Sequence, residues 1–178
     1  MRHLLKSFAQ GIDALNNWIG KTISWLTTIL VVLVCFDVIT RYLFSDTQAW
    51  IMELEWHLFA LTFLLGAAYC FLHDKHVRVD LFYAKFSDKD KAMVNFIGAL
   101  LFLIPWCIVI IKVSYDYALQ SYLMGETSPD PGGLPALYIV KFAITIGVFL
   151  LLLQAISSLI KSGLTLFSKT DQEQTEML

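Results

Sequence analysis

The chain is poor in cysteine, and the few cysteines it has are badly placed for redox chemistry. Cys35, Cys70 and Cys107 are odd in number, lie far apart in apolar runs and form no CxxC pair. They are therefore interpreted as small buried apolar residues. A four-span disulfide oxidase that reduces quinone would need cysteine pairs facing the periplasm, so the sequence excludes that class.

Histidines and catalytic motifs are equally scarce. Only one of the four histidines, His57, lies in an apolar run, whereas a haem-binding bundle needs axial histidines on facing helices. No HExxH, nucleophile elbow, P-loop or cluster of metal ligands occurs. The sequence therefore predicts a chain that is not an enzyme, with no catalytic residue and no cofactor or metal of its own.

Charged residues make up only 16% of the 178 residues, whereas 57% are apolar and the mean hydropathy is +0.65. This composition is too apolar for an ordinary soluble domain. Four runs reach the roughly 20 apolar residues that cross a hydrocarbon core of about 30 Å, namely residues 22–44, 49–72, 92–115 and 134–160. The predicted fold class is an all-α integral membrane protein with four transmembrane helices, forming a single domain over residues 1–167 with a polar tail at 168–178.

Positive charge is missing from two of the three connections between these runs. All but three of the thirteen Lys and Arg residues lie in the N-terminal segment, the middle loop and the C-terminal tail. Cytoplasmic segments of membrane proteins are enriched in Lys and Arg. The pattern therefore predicts that both termini are cytoplasmic and that the turn 45–48 and the connection 123–134 face the periplasm.

The segment before the first span has the pattern of an amphipathic helix over about residues 3–19. Its apolar residues recur at helical spacing, and the other side carries mostly polar residues: Arg2, Lys6, Asp13, Asn16 and Asn17. We interpret it as an interfacial helix on the cytoplasmic side of the membrane. The alternative is a plain N-terminal extension of the first span.

Ionisable side chains inside the spans gather toward the predicted periplasmic side: Asp37, Arg41, Glu53, Glu55, His57, Lys112, Asp116 and Lys141. A charge at the bilayer centre costs about 2.5–3.5 kcal/mol, so such groups pair, face water or reach toward the interface. These side chains could serve as interfacial anchors, as docking contacts for a partner protein, or as a path for ions or protons. Docking or anchoring is favoured because no acid stands unpaired at mid-membrane.

The spacing of these residues predicts specific pairs. In an antiparallel hairpin centred on Thr47, Arg41 lies level with Glu53, and Asp37 lies level with His57. These four are predicted to form a two-rung ladder between helices 1 and 2. Glu55 points about 200° away from Glu53 and needs Arg41, Lys141 or a second subunit as its partner. Lys112 and Asp116, also i,i+4, are predicted to pair.

Two stretches of the chain resemble a known transporter family. The first is residues 47–54 (TQAWIMEL), followed by 63–68 (FLLGAA) and 76–80 (HVRVD). The second is residues 128–135 (SPDPGGLP), followed by Lys141 and by residues 151–154 (LLLQ). Both resemble the small membrane subunit, the Q or DctQ-like subunit, of tripartite ATP-independent periplasmic (TRAP) transporters. The length and the four-span layout are similar too, so the resemblance covers nearly the whole chain.

The resemblance implies a bacterial inner-membrane protein with two partners. A large multi-span subunit would carry the substrate and sodium sites and move by an elevator mechanism, so Na⁺ is implied for that subunit alone. A periplasmic binding protein would deliver the substrate, usually an organic acid. The small subunit would then be an accessory scaffold that braces the large one.

The expected roles of individual residues follow from these interpretations. Candidates for structural or subunit-interface contacts are Asp37, Arg41, Trp50, Glu53, Glu55, His57, His76, Arg78, Asp80 and Lys141. Candidates for contact with the binding protein are Ser128, Asp130, Gly132 and Gly133. The small residues Gly66, Ala67, Ala68 and Gly147 are expected to allow close helix contact. The alternative function is an autonomous oligomeric carrier or channel that uses Glu53 or Glu55 as its coupling acid.

Overall fold

A computed structural model of the chain describes residues 2–76, 83 and 85–175, with side chains up to residue 167. Its elements are α1 (Arg2–Phe44), α2 (Ala49–Leu72), α3 (Asp88–Gly98), a π-helical turn (Ala99–Leu103), α4 (Ile104–Leu123) and α5 (Tyr138–Thr175). Within these described residues there is no strand, and four helical stretches are long and apolar enough to span a membrane. The predicted all-α fold with four spans is therefore confirmed.

Helices α1 and α2 form the antiparallel hairpin that the short polar connection predicted. The chain reverses over residues 45–48, where Ser45 adopts a positive φ of 52°. The side-chain amide of Gln48 donates hydrogen bonds to both carboxylate oxygens of Asp46, at 3.0 and 2.9 Å. These local bonds fix the turn that ends one span and starts the next.

The third span is a composite of α3, the π-helical turn and α4. The residues Ser87-Asp88-Lys89-Asp90 resemble a capping box in sequence, which predicts a helix start here. Ser87 is the N-cap: its hydroxyl oxygen accepts a hydrogen bond from the Asp90 backbone N–H and its O–H donates to the Asp90 carboxylate. Pro105 lies in the first turn of α4, directly after the π-helical turn. A proline lacks an N–H and clashes with the carbonyl four residues earlier, so the wider π turn gives its ring room. A proline in the middle of a span predicts a kink in the helix, and the irregularity found next to Pro105 is this π turn.

Helix α5 is the centre of the bundle, because it packs against α1, α2, α3 and α4. Helices α1 and α4 make no substantial contact with each other, and they form the two edges of the bundle. Helix α5 begins at Tyr138, four residues after the predicted start of this span at residue 134, so Pro135 precedes the helix. The backbone of α5 stays helical to Thr175, into the segment that was predicted to be a polar tail.

Glycine allows α5 to approach α2 closely. A Cβ atom built on Gly147 would lie 2.5 Å from the backbone carbonyl oxygen of Leu64, so no larger residue fits there without moving a helix. This agrees with the contact expected at Gly147. Gly66, by contrast, has nothing within 4 Å of such an atom, and it is not a contact point in this chain.

The N-terminal segment is helical as predicted, but it continues into the first span without a break, as the alternative interpretation had it. Two of its polar residues, Asp13 and Asn16, bind α5, whereas Arg2 and Lys6 are exposed. Asn16 is 1% exposed and donates to the Gln154 side chain at 2.8 Å. The Asp13 carboxylate accepts hydrogen bonds from Gln154 and Ser157 and pairs with Lys161. These bonds pair polar groups inside the bundle, since surrounding lipid would offer them no hydrogen-bond partner.

Replacing Gln154 by leucine is expected to lower the free energy of unfolding by about 1–3 kcal/mol, because it leaves the Asn16 amide without a side-chain partner in the interior. Thermal unfolding in a mild detergent measures this change. The neighbouring variant Ser158→Ala is the control, since Ser158 is half-buried and makes no hydrogen bond within the described part of the chain. Equal melting temperatures for the two variants would contradict the prediction.

Candidate functional site at the loop end of the bundle

We call the end of the bundle formed by the turn 45–48 and the connection 124–137 the loop end. The connection is closed by its own backbone bonds: the Ser128 N–H donates to Leu134 O at 3.1 Å and the Leu137 N–H donates to Glu126 O at 3.2 Å. Gly132 has a φ of +76°, a conformation that glycine adopts without strain. The connection is therefore an ordered loop.

Glu53, near the start of α2, binds this loop to the bundle. Its side chain is 8% exposed. One carboxylate oxygen accepts a hydrogen bond from the Ser128 hydroxyl, and the other accepts one from the Leu134 backbone N–H at 2.5 Å. A Cβ atom at Gly133 would clash with the Ser128 side chain and lie 2.8 Å from Glu53 Oε1, so a larger residue there would disturb the bond between Ser128 and Glu53. Glu53 thus joins the start of α2 to the SPDPGGLP segment.

A second acidic cluster lies where α1 and α2 face each other. The Arg41 guanidinium pairs with the Asp37 carboxylate on the same helix. Asp37 is 3% exposed, whereas the Arg41 side chain is 44% exposed. Glu55 lies within electrostatic range of both residues. Among the residues that the structure describes, one oxygen each of Asp37 and Glu55 is buried without a hydrogen-bond partner. The sequence left Arg41, Lys141 or a second subunit as possible partners of Glu55, and in the structure Arg41 is the one that lies close to it.

The predicted ladder between α1 and α2 is wrong. Glu53 binds the loop and not Arg41, and Arg41 binds Asp37. The His57 imidazole has its Nδ1 atom 2.6 Å from the Glu53 backbone oxygen and packs on the ring of Trp56. The reason is local: the i,i+4 spacing brings Asp37 within reach of Arg41. A compensating change at Glu53 is therefore not expected to rescue Arg41→Ala.

Lys141 near the start of α5 binds the other end of the same loop. Its ammonium group pairs with the Glu126 carboxylate and lies 4.2 Å from the centre of the Tyr117 ring. The hydrogen bond from Lys141 lowers the pKa of the Glu126 carboxyl below its ordinary value. The loop is thus held at two points, by Glu53 and by Lys141.

The lowered pKa of Glu126 predicts a loss of stability in acid. Because the folded state favours the ionised carboxylate, this contribution is present above the pKa of the unfolded chain and is lost as the pH falls through the lower folded pKa. The melting temperature of wild type should therefore fall more steeply below about pH 4 than that of Glu126→Gln, which has no such carboxylate. Parallel pH profiles for the two proteins would contradict this assignment.

The other predicted site residues are spread over the surface. Trp50 is 40% exposed near the loop end, and His76 is exposed with its ring edge against Phe71. Arg78 and Asp80 lie outside the described residues. Lys112 and Asp116 are both exposed on α4 and are not bonded to each other, so their predicted pair is not formed.

The four candidates for contact with the binding protein divide into two pairs. Asp130 and Gly132 are exposed on the loop, whereas Ser128 and Gly133 are half-buried and serve the bond to Glu53. Sequence reasoning missed the part of Glu126 and of the Leu134 N–H. The opposite charges of Glu126 and Lys141 on either side of a short loop could have indicated the role of Glu126. A backbone N–H has no signal in the sequence, so the role of the Leu134 N–H could not be predicted.

The family model of the DctQ component of tripartite ATP-independent periplasmic transporters matches residues 30–163. This match covers more than half of the chain and includes Glu53 and the whole loop that it binds. The chain belongs to this family. It is thus the small component of a TRAP transporter, a multi-pass protein of the inner membrane, and its family is not a known enzyme family. A comparison with curated proteins gives no match.

Membership of the DctQ family gives the loop end a context. Both stretches on which the resemblance rests, residues 47–54 and 128–135, lie within the matched range, and Glu53 bonds one to the other. Asp13 and Asn16 lie before that range. The bond between α2 and the loop therefore belongs to the part of the chain that the family defines.

Proposed function

We propose that the chain is the scaffold subunit of a sodium-driven, binding-protein-dependent secondary transporter that imports organic acids. In this role it braces a large elevator subunit, which carries the substrate and Na⁺ sites. Its loop end faces the periplasm, where the periplasmic binding protein docks transiently on the loop, and both termini lie in the cytoplasm.

The observation that carries this proposal is the bond between Glu53 and the loop. Both carboxylate oxygens of Glu53 are engaged, which fixes the loop as a firm platform and leaves Glu53 occupied. A carrier that used Glu53 as its coupling acid would need that carboxylate free to exchange protons or ions with water. The geometry therefore favours a static brace over a carrier that uses Glu53 as its coupling acid.

The distribution of positive charge supports the orientation. The exposed Lys75, Lys85 and Lys89 lie at the end of the bundle opposite the loop end, and cytoplasmic segments attract such residues. A membrane-impermeant maleimide applied to intact cells should label Asp130→Cys on the loop. Lys85→Cys should react only after permeabilisation, and wild type, whose cysteines lie in the spans, is the background control. Labelling of Lys85→Cys in intact cells would reverse the orientation.

Purification with the products of the neighbouring genes tests the function. We expect the tagged chain to capture a large multi-span protein in fixed stoichiometry in mild detergent. Reconstituted vesicles should then take up radiolabelled organic acids only with a sodium gradient and the binding protein. A pure homo-oligomer that transports solute by itself would instead establish the carrier, and Glu55→Gln would become the variant to measure.

A further inference from the structure

Contacts between helices give the depth of Lys112 in the bundle. Ser114 of α4 bonds to Thr145 of α5 at 2.9 Å, and because these helices are antiparallel, Lys112 lies level with Gly147. Gly147 in turn meets Leu64 of α2. Lys112 is therefore level with the middle of the apolar runs of α2 and α5, about 16 Å along the helix from the end of α4 at Leu123.

The outward side of α4 carries a stripe of residues that we call the α4 face: Val109, Lys112, Val113, Asp116 and Gln120. All five are exposed, and they share one side of the helix at 100° per residue. Neither Lys112 nor Asp116 has a bonding partner within the described part of the chain, whereas Arg41, Glu53 and Lys141 all do. In a membrane this face would place a lysine and an aspartate against lipid.

Uncompensated charges at that depth are unfavourable, so such side chains normally pair or face a protein or a watery cavity. The opposite edge of the bundle makes a useful contrast. Its outward stripe on α1 is Trp25, Ile29, Val32 and Phe36, all apolar and exposed. The apolar stripe on α1 can lie against lipid at no cost, but the α4 face cannot, because lipid offers no partner to its two charges.

We infer that the α4 face is where this chain binds the large transporter subunit, which offers an acidic group to Lys112 and a hydrogen-bond donor or cation to Asp116. The identity of this partner rests on the proposed function. The need for a polar protein partner rests only on the exposure and depth of the two charges. Polar pairs between helices and close packing stabilise such contacts in lipid, where the hydrophobic effect does not act between helices.

Site-directed photocrosslinking in membranes tests whether the large subunit contacts the α4 edge or the α1 edge of the bundle. A photoreactive amino acid replaces Val113 on the α4 face or, as the matched control, Ile29 on α1. These two residues are 60% and 53% exposed. Their depths in the bundle differ by less than about one helical turn. Gly20 of α1 contacts Tyr69 of α2, so Trp25 lies level with Leu64 in the antiparallel hairpin. Lys112 lies level with Leu64 as well, and Ile29 and Val113 are close to these two positions. The complete complex is irradiated in cells, and the crosslinked products are identified by mass spectrometry.

Charge variants give a second measurement. Lys112→Met and Asp116→Asn should each reduce the amount of large subunit captured at least tenfold, without lowering the melting temperature of the isolated chain, because both side chains are exposed. The control Lys21→Met removes an exposed lysine from α1 and should leave the capture unchanged. Unchanged capture by both α4 variants would overturn the inference.

The crosslinks separate failure of this inference from failure of the proposed function. A large-subunit crosslink from Val113 and none from Ile29 is the expected result. Crosslinks from Ile29 alone, or from Val113 only to a second copy of this chain, overturn the inference while a captured large subunit still supports the scaffold role. If wild type captures no large membrane protein at all, the proposed function fails, and the identity of the partner fails with it.

Discussion

Glu53→Ala is expected to release residues 128–134 of the loop from the start of α2, while Glu126 at the other end of the loop stays paired with Lys141. The substitution removes both acceptors at once, so that the Ser128 hydroxyl and the Leu134 N–H lose their partner. Hydrogen bonds to a charged acceptor are about twice as strong as neutral ones, and local opening of a loop depends on few such bonds. We therefore expect the open form of the loop to become at least about tenfold more populated.

Hydrogen exchange measures this opening directly. Peptides that cover residues 128–134 should exchange at least about tenfold faster in Glu53→Ala than in wild type, while peptides from the centre of α5 should be unchanged. Glu53→Gln, which keeps one acceptor oxygen, should fall between the two. The control is Asp130→Asn, an exposed position on the same loop. Unchanged exchange in Glu53→Ala would mean that the loop keeps its shape without the carboxylate.

The same variant has a consequence for transport under the proposed function. A loop released from α2 would present Asp130 and Gly132 in many conformations, and ordering them again would weaken docking of the binding protein. Uptake in vesicles should then need a higher concentration of binding protein in Glu53→Ala, while the large subunit is still captured. This combination separates a role of the loop in docking from a role in assembly.

The features predicted correctly from the sequence are those that depend on local pattern. The four spans follow from run length, the hairpin from the polar turn at residues 45–48, and the N-cap at Ser87 from its spacing to Asp90. Each of these signals lies within a few residues of the structure that it specifies. The match to the DctQ family also agrees with the resemblance of residues 47–54 and 128–135.

The pairs were mispredicted because they depend on distant or backbone groups. Ser128 and Leu134 lie 75 and 81 residues from Glu53, and one of the two donors is a backbone N–H. The N-terminal segment was predicted to be a separate interfacial helix because its amphipathic pattern is typical of one. The partners of Asn16 and Asp13 on α5 lie 138 and 144 residues away, and no local pattern indicates them. The Asn16 amide donates to Gln154 inside the bundle, where lipid would offer it no partner.

Gly147→Ala is expected to destabilise the contact between α5 and α2. The new Cβ atom would lie 2.5 Å from the backbone oxygen of Leu64, and a backbone cannot rotate away as a side chain can. Helix α5 would have to move off α2, and because α5 contacts every other span, the shift would spread through the bundle. Overpacking of this kind costs about 1–3 kcal/mol.

Gly66→Ala is the matched control, since it adds the same methyl group to a helix with nothing within 4 Å of it. It should be neutral or stabilising by at most about 1 kcal/mol, because alanine favours the helix over glycine. Thermal unfolding of the two variants in the same detergent compares them directly, and capture of the large subunit reports whether the bundle still presents its α4 face. Equal melting temperatures for the two variants would show that α2 and α5 can move apart slightly without loss of stability, and that their contact does not need Gly147.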